Sequence, residues 1–209
     1  MSATPSEIAG ERGITEILHF TTEKGVMGSL QAGTLLSRER VQQNEDLAFI
    51  FTGVWPRRDP EWVDYVSLSV TRINSSLYRK AAKHLPDLWW AIMSFSPAIL
   101  DEPGVVFTTT NNVYDEVCER GEGIDGLEAM FEDRVPYGYY GSVKTRSATR
   151  PDNLPTDVQA EVLYPEGIDL SQLRCIYVGE EQHRSLILAW CDVLGKPEPT
   201  VLVAQDLFT

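Results

Sequence analysis

Apolar and polar positions alternate most cleanly over "WVDYVSLSVT" (62–71), which predicts a strand with one buried face. "ITEILHFTT" (14–22) predicts an earlier strand from its β-branched and aromatic residues, with His19 and Thr21 two apart on one face. The period changes to 3.6 over "TEKGVMGSLQAGTLLS": Val26, Leu30 and Met27 turn inward, and Gly33 is placed to end a helix. "SSLYRKAAKHL" predicts a short helix, "LWWAIMSFS" a buried strand, and "GVVFTT" a strand after a Pro103-Gly104 turn. In "DGLEAMFEDRV" (125–135), Leu127, Met130 and Phe131 stand at helical spacing behind Asp125 as N-cap. "LRCIYVG" and "TVLVAQDLF" predict two strands flanking the helix "EEQHRSLILAWCDVLG". Residues 1–12 are small, polar and charged and predict a flexible tail, which leaves 13–209 as one mixed α+β domain with short helices.

"DVQAEVLYPEG" (157–167) breaks the pattern. Read as a strand, it puts Ala160, Val162 and Tyr164 on one face, and Gln159, Glu161 and Leu163 on the other. A carboxylate beside apolar strand residues is costly to bury, so Glu161 faces either solvent at a sheet edge or a cleft. The segment before it, 136–156, is rich in Gly, Pro, Ser and Thr and predicts a long loop. Between 141 and 156 that loop carries Lys144, Arg146 and Arg150 against Asp152 alone.

Charge makes the loop conspicuous. The 209 residues hold 18 Lys and Arg against 31 Asp and Glu, a formal net charge of −13. Such a chain repels nucleic acid in bulk, so any nucleic-acid contact must be local. Three scattered cysteines without a CxxC predict buried free thiols in a reducing cytoplasm. The N-terminus has no basic segment followed by an apolar one, and no apolar run approaches the ~18 residues of a membrane span.

Common chemistries drop out. The three histidines are isolated and no metal-ligand spacing occurs, so no metal is expected. There is no GxSxG elbow, no GxxxxGK[ST] loop and no GxGxxG. What remains is His19-x-Thr21, the Asn74-Ser75 turn after the 62–71 strand, and Gln159-x-Glu161 behind the basic loop. Taken singly, each has a structural reading: a hydrogen-bonding core histidine, a turn former, a solvent-edge carboxylate.

Together they resemble a known family. Gln159-x-Glu161 is similar to the Gln/Glu-x-Glu motif of ADP-ribosyltransferases. "ILHFTTEKGVMGSLQAGTLLSRE", "YVSLSVTRINSSLYRK", "VVFTTTNNVYDEVCERGEGIDGLEAMFED" and "LPTDVQAEVLYPEGIDLSQLRCIYV" resemble successive segments of the DarT toxins, in the family's order, from about residue 14 to 180. Residues 181–209 add nothing to the match. The resemblance implies one ADP-ribosyltransferase-like domain with a split mixed β-sheet. It further implies NAD as co-substrate, transfer of ADP-ribose to a base of single-stranded DNA, and a macrodomain-type antitoxin as partner.

The resemblance implies a role for each residue that fits its chemistry. Glu161 stabilises positive charge on the ribose and accepts the proton of the attacking base. His19 and Thr21 hold the two ends of NAD, with Asn74 and Gly33 added to that set. Arg57 and Arg58 are the first choice for the pyrophosphate, ahead of Arg38, Arg40 and Arg72, with Arg58 in the catalytic group. Gln159, Lys144, Arg146, Arg150 and Tyr140 are assigned to the acceptor, as phosphate-binding cations and a stacking ring. An RNA or protein acceptor, or a non-catalytic NAD- or nucleic-acid-binding module on the same scaffold, are the competing readings.

Overall fold

The first surprise lies in the expected tail. Thr4, Pro5 and Glu7 form a capping box: the Thr4 hydroxyl accepts from the Glu7 N–H, and the Glu7 carboxylate accepts from the Thr4 N–H. Helix α1 (Pro5–Glu11) follows, burying Ala9 and anchored by Asp101, which accepts from the Ser6 N–H at 2.8 Å and from the Thr4 hydroxyl. Residues 5–11 are therefore part of the folded body and not a loose tail. The polar residues that suggested disorder are the cap. The structure, a computed structural model, describes residues 3–47 and 60–208.

The chain continues through β1 (Ile17–Thr22), α2 (Glu23–Ala32), β2 (Thr34–Leu36) and α3 (Arg38–Gln43). It resumes with β3 (Tyr65–Val70), α4 (Ser75–His84), β4 (Trp90–Phe95), β5 (Val106–Thr108), β6 (Arg120–Glu122) and α5 (Gly123–Ala129). The short strands β7 (Arg134–Pro136) and β8 (Val143–Thr145) precede β9 (Glu161–Pro165) and β10 (Gly167–Asp169). Last come β11 (Leu173–Val178), α6 (Glu181–Leu194) and β12 (Val201–Val203). Eight strands form one sheet in the order β12-β11-β4-β1-β3-β9-β5-β6, with β11 and β12 parallel and the other neighbours antiparallel. β4 is covered on both faces, which is why its sequence is an unbroken apolar run and not an alternation.

On one face, Val26 and Leu30 of α2 and Ile187 and Cys191 of α6 share a core with Met93 and Phe95. On the other, Tyr78 of α4 packs edge-on against Phe20 and Trp90. α2 ends where the sequence placed its end, at Gly33, whose φ of 73° is the left-handed conformation a side chain disfavours. Asp125 sits in the first turn of α5; the cap position belongs to Glu122. The expected 136–156 loop contains the β7–β8 hairpin. All three cysteines are buried and unpaired.

One seam sets up the site. β1 pairs with β4 along six residues, but with β3 only at Ile17–Val70 and Leu18–Ser69. Beyond those rungs β3 turns its Tyr65–Leu68 segment to β9. The split expected of the sheet is this parting of β1 from β3.

Candidate active site

Where the ladder stops, a side chain takes over. The His19 ring Nδ1–H donates to the Ser67 carbonyl at 3.0 Å, occupying the place of the next backbone rung. Burial pushes the His19 pKa below its ordinary 6.5, against the smaller upward pull of that hydrogen bond. The ring is therefore neutral with its proton on Nδ1, and Nε2 keeps a lone pair for a ligand hydroxyl.

Ser67 also faces the other way. Its hydroxyl donates to Glu161 Oε1 at 2.8 Å, and the Asn112 backbone N–H donates to Oε2 at 3.0 Å. The Asn111 amide approaches Oε1 at 3.4 Å, and the Glu161 N–H donates to the Thr108 hydroxyl. Donors converge on both oxygens, the pattern an ionised carboxylate requires. Asn112 is itself held: Arg120 donates to its Oδ1 at 2.7 Å and to its carbonyl at 3.0 Å, while pairing with Asp115.

His19, Thr21, Ser67, Asn74, Gln159 and Glu161 all line one cleft of about 590 Å³. A smaller recess of about 180 Å³ opens from it behind His19 and Thr21, against Gly25 and Gly28 of α2. A dinucleotide fits a space of this size. At Gly25 an added Cβ would meet the Thr21 hydroxyl oxygen at 2.0 Å, so glycine leaves room for that hydroxyl. Gly25→Ala is expected to raise the KM for NAD roughly tenfold with the melting temperature preserved, since alanine suits a helix better than glycine. Steady-state kinetics at varied NAD checks it.

Gln159 is in the cleft but not on the strand. β9 begins at Glu161, and Gln159 lies in the turn before it, its N–H donating to Asp157 Oδ1. Asp157 is buried and also accepts from the Thr110 hydroxyl at 2.6 Å. Asn74 caps α4 by accepting from the Leu77 N–H, with its side chain at the cleft wall.

Other expected site residues fall elsewhere. Gly33 does not face the cleft; its work is the helix end, and its carbonyl accepts from the Leu170 N–H. Arg146 is committed to its own loop, donating to the carbonyls of Leu154 and Pro151, each at 2.9 Å, and it lies nearly buried over Phe131. It braces the segment that leads into Gln159 and is not presented to an acceptor. Arg150 binds the Pro155 carbonyl through Nε and faces a different hollow. Lys144 lies over the Tyr137 ring at 4.5 Å. Tyr140 is fully exposed, whereas its neighbour Tyr139 reaches the cleft and packs edge-on against Tyr114 at 5.1 Å. Arg57 and Arg58 lie outside the described residues. Of the other arginines, Arg38 lines the cleft, while Arg40 is paired with Asp64 and Glu166. Among the described residues no cluster of metal-ligating side chains occurs, and no helix is long and apolar enough to cross a membrane.

A strand-borne glutamate with Gln two residues earlier, lining one cleft with a His-x-Thr strand, is the arrangement that the resemblance implies for an ADP-ribosyltransferase. A family model described as ssDNA thymidine ADP-ribosyltransferase, DarT, matches residues 18–209, and the chain belongs to that family. It is an NAD-dependent enzyme that transfers ADP-ribose to a base of single-stranded DNA. The fold is similar to that of Thermus sp. 2.9 DarT in complex with NAD+, at 16% identity and a TM-score of 0.65, covering 93% of this chain and 98% of that one. The same Thermus protein in complex with ADP-ribosylated ssDNA matches at 18% identity and a TM-score of 0.61, over 94% and 97% of the two chains. Thermosipho africanus DarTG in complex with ADP-ribose matches at 14% identity and a TM-score of 0.58, over 93% of this chain and 51% of that longer one. No curated protein matches the sequence.

Proposed function

We infer that the chain modifies thymidine, as its family's description has it, through Glu161, and that it acts in the cytoplasm as the toxin of a toxin–antitoxin pair whose partner carries a macrodomain. The observation that carries the chemical reading is the Glu161 carboxylate, held by Ser67 and Asn112 and open to the same cleft as His19.

NAD supplies an activated ribose whose bond to nicotinamide breaks. His19 Nε2 and the Thr21 hydroxyl hold the co-substrate, and Arg38 supplies positive charge for its pyrophosphate, alongside Arg57 and Arg58. Glu161 stabilises the charge that develops on the ribose as nicotinamide leaves with its electron pair. A ring nitrogen of the base forms the new bond to the same carbon, and its proton passes to Glu161. Gln159 and Tyr139, which both line the cleft, orient the acceptor. The three buried, unpaired cysteines suit a reducing compartment.

Incubation with NAD and a mixed-sequence single-stranded oligonucleotide, followed by mass spectrometry of the oligonucleotide, tests this. One ADP-ribose added, on thymidine by fragmentation, is the expected product. Nicotinamide release without an adduct would move the acceptor to RNA or protein, and neither product would overturn the catalytic reading.

His19 gives a second check. Because its pKa is lowered, it stays neutral through pH 6.5 and gains a proton only as pH falls through the lowered value. Protonation removes the Nε2 lone pair. The KM for NAD is expected to stay flat from about pH 8 to 6.5 and to rise below that. A His19→Gln variant should lack this acid limb; an identical limb in the variant would assign it to another group.

A further inference from the structure

Beyond the wall of the cleft lies a second hollow of about 230 Å³, too small for a dinucleotide. Ser76 belongs to both spaces, and Gln159, in the cleft, is flanked by Val158 and Ala160, which line the hollow. Its walls are apolar, built from Ile73, Leu154, Pro155 and Val158, and Val158 is half exposed although nothing about a loop valine requires it. At its edges stand Arg72 and Arg150.

Those two cations are poorly compensated. Arg72 is exposed and makes no ion pair or side-chain hydrogen bond among the described residues. Arg150 spends only Nε, on the Pro155 carbonyl. Its pKa is lowered, first by burial and then by repulsion from Arg146 and Arg72; Asp157 opposes the shift but is already engaged by Thr110 and the Gln159 N–H. The first turn of α4, with Ser75 and Ser76 at the hollow, adds the positive end of a ten-residue helix. In a chain of net charge −13, a cationic rim around an apolar floor beside the acceptor side of the cleft is a place for an anion attached to a flat apolar group.

We propose that this hollow seats the nucleotide next to the target base, its base against Leu154, Pro155 and Val158 and its phosphate between Arg72 and Arg150. The inference rests on the single-stranded acceptor argued above and adds a determinant of sequence context. The turn carrying Gln159 then separates two adjacent nucleotides, one turned toward Glu161 and the other toward the arginines.

Binding of a fluorescein-labelled oligonucleotide with a single thymidine, read by anisotropy over a salt series, tests it with the full chain. Arg72→Ala is expected to weaken binding about tenfold and to lower the slope of log K against log salt by about one, as for one lost phosphate contact. An oligonucleotide with an abasic site beside the thymidine is expected to bind the native protein about tenfold more weakly than the intact one. Val158→Asp, at an exposed position that tolerates the change, should bind both alike. If the native protein modifies the oligonucleotide and both variants keep its slope and its discrimination, the hollow is not a nucleotide site and the acceptor reading stands. If the native protein neither binds nor modifies any oligonucleotide, the acceptor reading fails and this inference with it.

Discussion

Glu161→Gln should lower the rate of ADP-ribose transfer about a thousandfold, some 4 kcal/mol of transition-state stabilisation, with little effect on folding. The substitution is close to isosteric and its surroundings can adapt. Its amide oxygen can take the Asn112 N–H, and the Ser67 hydroxyl can rotate to accept from its amide nitrogen. Apart from the long 3.4 Å contact from the Asn111 amide, only the negative charge is lost. Calorimetric titration with NAD should then give a Kd within a few-fold of native while the oligonucleotide gains no mass. A loss of less than tenfold in rate would mean that the carboxylate is not what stabilises the ribose, and attention would turn to the arginines.

Gly126→Ala should destabilise the protein by about 3 kcal/mol, or roughly 6–12 °C in Tm for a chain of this size. Its Cβ would meet the Gly121 carbonyl oxygen at 2.3 Å and carbon at 2.4 Å, both backbone atoms that cannot swing aside. α5 therefore packs on β6 backbone to backbone. The consequence reaches the site, because Arg120 on β6 holds Asn112, whose N–H holds Glu161. Thermal unfolding beside Gly10→Ala, which adds its methyl into open space in α1, gives the comparison. A Gly126→Ala midpoint within 2 °C of that control, against roughly 2–4 °C expected per kcal/mol, would show the approach to be looser than described.

Most of the scaffold was legible because period and burial agree. α2 buries Val26 and Leu30 as their spacing indicated, β3 alternates as read, β1, α4 and α6 form where their residues placed them, and Gly33 ends α2. α1 was hidden because a capping box is written in the same Thr, Ser and Glu that mark disorder. In the cleft, His19 and Glu161 could be singled out only through the resemblance, since each alone reads as structural. Ser67 and Asn112 could not: one is an unremarkable position in an alternating strand, and the other acts through its backbone N–H, which any residue but proline possesses. Their importance comes from β3 and the β5–β6 connection meeting β9, separations of 94 and 49 residues. The "TTTNN" run was the one available hint. Arg146 misled for the opposite reason, since a cation in a polar loop gives no sign that carbonyls within the same loop already hold it.

The seam between β1 and β3 also has a mechanical meaning. Beyond the rungs at Val70 and Ser69, Ser67 stands where β1 and β3 part: its carbonyl is held by His19 on one side while its hydroxyl bonds the Glu161 carboxylate on the other. A group that binds His19 therefore shares a hydrogen-bonded neighbour, Ser67, with the Glu161 carboxylate.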